Sequence, residues 1–292
     1  MIRHGYASAN ELKLHYAASG DSDAHTLLFL HGFPEFWYAW RHQLADLADT
    51  YHCVAPDLPG YNLSSKPTEV ARYRTKRLIE DVAAFAKPFT GKRKFTLIAH
   101  DWGGALAWAF AIKRPELIDL LIIINAVHPG AFQRELAKNP AQGAASQYIH
   151  EIRAAGSEER YAANNYALLW RSLEKTAAAG HLSADDHAAF VKAWSEPGAV
   201  TGMFNWYRAM RFDPPKPGAA PASELYNDDA LMVRVPTLVI WGLQDTSLLP
   251  GCADGLERWV PQVEVQRVEN GSHWIVYEQP ALISKSIRDW LA

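Results

Sequence analysis

Apolar positions along this chain have two textures. Near-continuous runs of branched and aliphatic residues recur at 26–30 (TLLFL), 51–56, 95–99, 120–124 (LLIII), 237–241 (TLVIW) and 263–268, with helical patterns between most of them. Runs without polar alternation predict strands buried on both faces, and strands that alternate with helices predict a mostly parallel sheet. Residues 10–16 alternate apolar and polar instead, which suits an antiparallel hairpin at a sheet edge.

Between Pro129 and about Pro215 the strand runs disappear. The chain there is rich in Ala, Trp and Tyr, as in 162–173 (AANNYALLWRSL), and predicts a helical insertion. The breaker-rich segment 212–221 (FDPPKPGAAP) returns the chain to the sheet. The expected fold class is therefore α/β: a mostly parallel twisted sheet flanked by helices, with a helical cap inserted after the strand that ends near Asn125. Residues 1–130 and 214–292 form the core domain in this reading, and 131–213 the cap.

Composition narrows the function classes. The 292 residues are 49% hydrophobic and 12% aromatic, enough to fill one large core. With 29 basic and 32 acidic residues and no basic run, nucleic acid and anionic membrane are not expected partners. Cys53 and Cys252 share no metal spacing and are too few for a disulfide framework. The first residues carry no apolar signal core and no stretch is long enough to span a bilayer, so a cytoplasmic protein is expected. No cofactor or metal is expected, and a homodimer is left open.

The chemistry enters at Ala99-His100-Asp101-Trp102-Gly103. A short apolar strand, a turn of small residues and a helix at 105–112 form the setting of a nucleophile elbow, with aspartate where the familiar version has serine. A carboxylate attacks carbonyls poorly but can displace a leaving group from saturated carbon and leave an alkyl ester on the protein. Epoxide opening and halide removal remain. The bland alternative is an aspartate that merely caps the helix.

Such an ester must be hydrolysed, which needs a base and oxyanion donors. His273, in Gly271-Ser272-His273-Trp274 after the last strand, stands where the order nucleophile, acid, histidine puts the base. Asp245 directly follows the strand 237–241 and would orient it, whereas the competing strand end, Asn125, holds an amide that cannot be an anionic partner. The amides of Phe33, after His31-Gly32, and of Trp102 would form the oxyanion hole.

These residues carry a resemblance over almost the whole chain. His31-Gly32-Phe33-Pro34-Glu35, Asp57-Leu58-Pro59-Gly60-Tyr61, His100-Asp101-Trp102-Gly103-Gly104, Asn125-Ala126-Val127-His128-Pro129, Asn205-Trp206-Tyr207-Arg208 and Gly271-Ser272-His273-Trp274 resemble the α/β-hydrolases of the epoxide hydrolase and haloalkane dehalogenase group, soluble epoxide hydrolases most of all. The resemblance implies that Tyr207 donates to an epoxide oxygen and that Tyr148, rather than nearby Tyr161 or Tyr166, is the second such donor. It implies a small hydrophobic epoxide as substrate, in a cleft to which Trp37, Trp206 and His31 are assigned. Glu35 and His128 are expected to support loop and hinge. The alternative is a haloalkane or haloacid dehalogenase with the same nucleophile, disfavoured by Trp102 where fluoroacetate dehalogenases have arginine and by Phe33 where many haloalkane dehalogenases have asparagine. A ligand receptor on the same fold would not need the intact set Asp101, Asp245 and His273.

Overall fold

The computed structural model describes residues 1–216, 218–219 and 227–292. Eight strands form one sheet: β1 (Arg3–Ala9), β2 (Leu12–Ser19), β3 (Thr26–Leu30), β4 (His52–Pro56), β5 (Phe95–His100), β6 (Ile118–Ile124), β7 (Thr237–Gly242) and β8 (Val263–Val268). Their order is β1-β2-β4-β3-β5-β6-β7-β8. β1 pairs antiparallel with β2, and β2 with β4; every later pairing is parallel. The alternating N-terminal pattern thus forms the edge hairpin it predicts, turning at Asn10 in the left-handed region (φ 55°).

Strands β3, β4, β5 and β7 are buried at every position, the result of cover on both faces. Helices α1 (Arg41–Asp46), α2 (Thr75–Thr90) and α3 (Asp101–Lys113) lie among the first six strands, and α11 (Ile275–Glu278) and α12 (Pro280–Leu291) follow β8. The β8 edge carries the exposed charges Glu264 and Arg267, which discourage pairing with another chain.

Among the described residues no strand lies between β6 and β7. Instead come α4 (Pro129–Lys138), α5 (Pro140–Ala145), α6 (Tyr148–Arg153), α7 (Ser157–Trp170), α8 (Glu174–Ala178), α9 (Ala184–Ser195) and α10 (Ala199–Ala209). One detail departs from the expected helix at 162–173. The backbone of α7 leaves helical geometry at Ala163 and runs left-handed through Asn164, Asn165 and Tyr166 (φ 52°, 55° and 61°), so the segment is two short helical pieces. Asn tolerates that region because its short amide can bond locally; helix propensity summed over the stretch does not register the break. Of the breaker-rich return segment, Pro217, Ala220 and Pro221 lie outside the described residues.

His128 braces both connections to the helical insertion. Its Nδ1 accepts from the Gly130 amide at the start of α4 (3.2 Å), and its Nε2 donates to the carbonyl of Leu231 (3.1 Å), shortly before β7. Burial pushes the imidazole down to about 4, so the ring is neutral and serves as a two-way tie. Cys53 and Cys252 are free and buried, and burial pushes the Cys53 thiol up to about 12. No helix among the described residues is long and apolar enough to cross a membrane.

Candidate active site

Asp101 sits at the junction of β5 and α3 with φ 47°, in the left-handed region that a non-glycine residue rarely occupies. The turn closes because Gly103 has no side chain: a Cβ there would overlap the carbonyl oxygens of Leu30 and His31. The result aims the Asp101 carboxylate away from the sheet. Its Oδ1 accepts from the Phe33 amide at 2.7 Å, and its Oδ2 lies 3.5 Å from His273 Nε2. The Trp102 amide belongs to the first turn of α3, whose N–H groups have no carbonyl partner within the helix.

The far side of the imidazole is firmly held. His273 Nδ1 donates to Asp245 Oδ2 at 2.7 Å, which fixes the tautomer with Nε2 toward Asp101. Asp245 in turn accepts from the amides of Ser247 and Leu248, both 2.8 Å from Oδ1. The two loops brace each other, since the Gln244 amide donates to the Gly271 carbonyl at 2.9 Å. Burial pushes both carboxyls up, but His273 more than offsets it, helped by the Phe33 amide at Asp101 and by Leu248 and Asn125 at Asp245; both lie below the usual carboxylate range. Burial alone would depress His273. The charges of Asp245 and Asp101 outweigh it and raise the imidazole well above its ordinary value.

The two tyrosines converge from the helical side. Tyr207 of α10 and Tyr148 of α6 have ring centroids 6.0 Å apart, edge to face. Phe33 and Trp102 each meet the Tyr207 ring edge to face at 5.0 Å. Burial, together with the Asp101 charge, raises both phenols, so they stay protonated and available as donors. The rivals for the second position are elsewhere: Tyr161 packs on Phe204 and Tyr166 on Trp194.

Three residues expected in the cleft have other duties. His31 is fully buried, its Nδ1 donating to the Gly32 carbonyl (2.9 Å) and its Nε2 accepting from the Leu58 amide (3.0 Å), so no polar edge is left for a ligand. Trp37 turns outward: the Asp57 carboxylate captures its amide at 2.9 Å and its ring packs edge-on against His4 of β1. Trp206 is also buried, and its indole donates to the Pro59 carbonyl at 2.9 Å, fastening α10 to the sheet domain. Aromatic clustering in sequence does not tell a cleft wall from a wedge.

Other residues matter more than the sequence reading allowed. Asn125, dismissed as an acid, donates to Asp245 Oδ2 at 2.8 Å and accepts from the Gly242 amide at 2.8 Å. Its φ of 38° at a strand end is a position that favours asparagine, a signal available from residue type and place. Glu35 accepts from Gly32 N (2.6 Å), Tyr277 OH (2.6 Å) and His100 Nδ1 (2.8 Å), while His100 Nε2 donates to the His273 carbonyl (2.8 Å). One buried carboxylate thereby joins the Phe33 loop, the elbow and the His273 loop. Among the described residues no three His, Cys, Asp or Glu side chains gather as a metal set.

Known proteins share this arrangement of elements. A family model described as alpha/beta hydrolase fold matches residues 25–280. The AB hydrolase superfamily protein YfhM of Bacillus subtilis (strain 168) is 36% identical over 99% of this chain and 98% of its own. Epoxide hydrolase 2 of Caenorhabditis elegans is 31% identical over 96% of this chain and 78% of its own. The crystal structure of Bacillus megaterium epoxide hydrolase with an inhibitor superposes with a TM-score of 0.89 at 33% identity, covering 98% of this chain and 99% of that one.

Proposed function

The chain belongs to the α/β-hydrolase fold family, and from that premise we propose that it is an epoxide hydrolase, converting a small hydrophobic epoxide and water to a vicinal diol. The observation that carries this reading is the packed pair of phenols, Tyr207 buried and Tyr148 half-buried, close enough to Asp101 for its charge to raise both. An epoxide oxygen leaves as an alkoxide still tethered to the substrate and needs donors as its charge develops, whereas a departing halide needs no proton. The Trp102 ring lies edge to face against that of Tyr207, 5.0 Å between centroids. Residues 131–213 act as the lid that brings the phenols over the core.

In the first half-reaction Asp101 Oδ2 attacks a ring carbon, the carbon–oxygen bond breaks, and the ring oxygen takes a proton from the phenol pair. Oδ1, already facing the Phe33 amide, becomes the ester carbonyl oxygen. In the second, water adds to that carbonyl as His273 takes its proton and Asp245 stabilises the imidazolium. The Phe33 and Trp102 amides hold the tetrahedral oxyanion; its collapse passes the added hydroxyl's proton to the departing oxygen, releases the diol and restores the carboxylate, and the proton on His273 returns through solvent to the phenolate left on the tyrosine pair.

A single turnover of styrene oxide in heavy-oxygen water tests this. Label is expected in the Asp101 carboxylate and not in the first diol, because water attacks the ester carbonyl and the diol keeps the carboxylate's original oxygen. Label in the diol alone on that turnover would exclude the covalent route.

A further inference from the structure

Helix α6 is six residues long, too short to hold its place by its own hydrogen bonds. Yet it carries Tyr148, whose ring must stay packed edge to face on that of Tyr207, 6.0 Å between centroids. What holds it is a row of donors at three-residue spacing along one side: Gln147, His150 and Arg153.

All three reach carbonyls of the segment that leaves α10. Gln147 donates to the Pro215 carbonyl (2.9 Å) and His150 Nε2 to that of Pro214 (2.8 Å). Arg153 does most: Nε donates to the carbonyl of Tyr207 itself (2.8 Å), Nη2 to those of Phe212 (2.9 Å) and Met210 (3.3 Å), and Nη1 to Asp213 Oδ1 (3.0 Å). The receiving segment is suited to this, because Pro214 and Pro215 supply carbonyls without N–H groups of their own. Tyr207 is independently registered to the sheet domain through its neighbour Trp206 on Pro59 and through Asn205, which donates to the Thr68 carbonyl (3.2 Å). The stretch before Tyr148 meets the core further back, where Gln142 of α5 donates to the Ser247 carbonyl (2.9 Å) and accepts from the Leu249 amide (2.8 Å), so the guanidinium supplies the direct link between the helix of Tyr148 and Tyr207.

We infer that Arg153 is the positioning residue of the phenol pair: it locks the helix of Tyr148 onto the backbone of Tyr207 and so acts on ring opening and not on ester hydrolysis. The inference rests on the epoxide hydrolase reading. A planar fork with several donors in fixed geometry can bind these carbonyls together; an ammonium on a flexible stem would bind them one at a time.

The test separates the two half-reactions. With styrene oxide under rapid mixing and quench, ester formation is read as added mass on the protein and ester hydrolysis as its decay. Arg153→Met, which keeps the apolar stem, should slow ester formation about 100-fold, the scale of an ångström-sized misplacement. Ester hydrolysis should stay within about twofold. Arg153→Lys should recover part of the loss. In a Tyr148→Phe background, Arg153→Met should add less than about threefold, because its effect is exerted through that hydroxyl. If Arg153→Met does not fold, the same cycle is run with Arg153→Lys at smaller amplitude. An undiminished effect in the Tyr148→Phe background, equal slowing of both half-reactions, or ester formation at the wild-type rate would each overturn the inference. A wild type that forms no ester with epoxides overturns the functional reading instead, and the two failures are told apart by that control.

Discussion

The two halves of the site are built by different means. Asp101 directly follows β5, Asp245 follows β7 and His273 follows β8, so their spacing is inherited from the parallel pairing of β5 through β8. Backbone ladders set that spacing, and the loops add only short braces such as Gln244 to Gly271. The phenols stand on α6 and α10, in a region without strands, and side chains place them: Arg153 holds one helix to the other, and Trp206 holds α10 to the sheet domain. Gly60 and Gly202 let the backbones of α10 and the core loop touch, since a Cβ on Gly202 would come within 2.6 Å of the Gly60 backbone. A ladder fixes many atoms at once, whereas a docked helix depends on a few contacts and can shift when one is lost. The sheet half should therefore govern ester hydrolysis, and the helical half ring opening.

The largest expected break of this division comes from removing both phenols. The double variant Tyr148→Phe with Tyr207→Phe should lower epoxide turnover by about 10³-fold or more, taking removal of one oxyanion-type donor as about 10²-fold. The loss should fall on ester formation, and ester once formed should be hydrolysed at close to the wild-type rate. Halide release from a bromoalkane, if the wild type shows any, should fall far less. Wild-type epoxide turnover in the double variant would instead favour dehalogenase chemistry.

That division also explains what was legible in the sequence. Strand runs and the small residues around Asp101 have periodic or steric signatures, so the sheet half, including Asp245 and His273, could be placed from local pattern plus order along the chain. Tyr207 was named through the Asn-Trp-Tyr-Arg segment and its family resemblance, not through periodicity. Tyr148 competed with Tyr161 and Tyr166 in similar text, and only packing separates them. His31, Trp37 and Trp206 looked like cleft residues because their neighbours are aromatic or glycine. Their actual partners, the Leu58 amide, His4 and the Pro59 carbonyl, are distant in sequence and leave no local trace. The donor row on α6 was invisible for the same reason.

A smaller effect is expected on the sheet side from Asn125→Gly, which suits the positive φ and removes the amide donor to Asp245 together with the acceptor for the Gly242 amide. A hydrogen bond to a charged group contributes roughly 1.5–3 kcal/mol, so ester hydrolysis should slow by about 10- to 100-fold while ring opening changes little. Its pH profile follows from the charges around His273. In the free protein Asp245 and Asp101 both raise the imidazole; in the ester Asp101 is neutral, so one of the raising charges is gone. The base works unprotonated. Ester hydrolysis should therefore rise with pH and level off at a lower pH than the one at which His273 of the free protein loses its proton. Equal midpoints for the two titrations would argue against an ester on Asp101.

The smallest effect is expected where sequence and structure disagree most sharply. Trp37 carries a large ring near the Phe33 loop, and as a cleft wall its loss would weaken binding of an apolar substrate by an amount comparable to its buried area. The structure gives it another partner: its ring lies edge-on to His4 at 4.8 Å, on the β1 side, and its amide is bound by Asp57 whatever the side chain. Trp37→Phe keeps an aromatic face against His4 and leaves that amide bond in place. KM and kcat for styrene oxide should stay within about twofold, the range of a substitution that touches neither ground state nor transition state. Any loss should appear in thermal stability, by about 1 kcal/mol for the smaller, half-buried ring. A several-fold rise in KM at unchanged stability would put Trp37 back in the cleft, and would mean that the helical side of the site is not the only apolar wall the substrate meets.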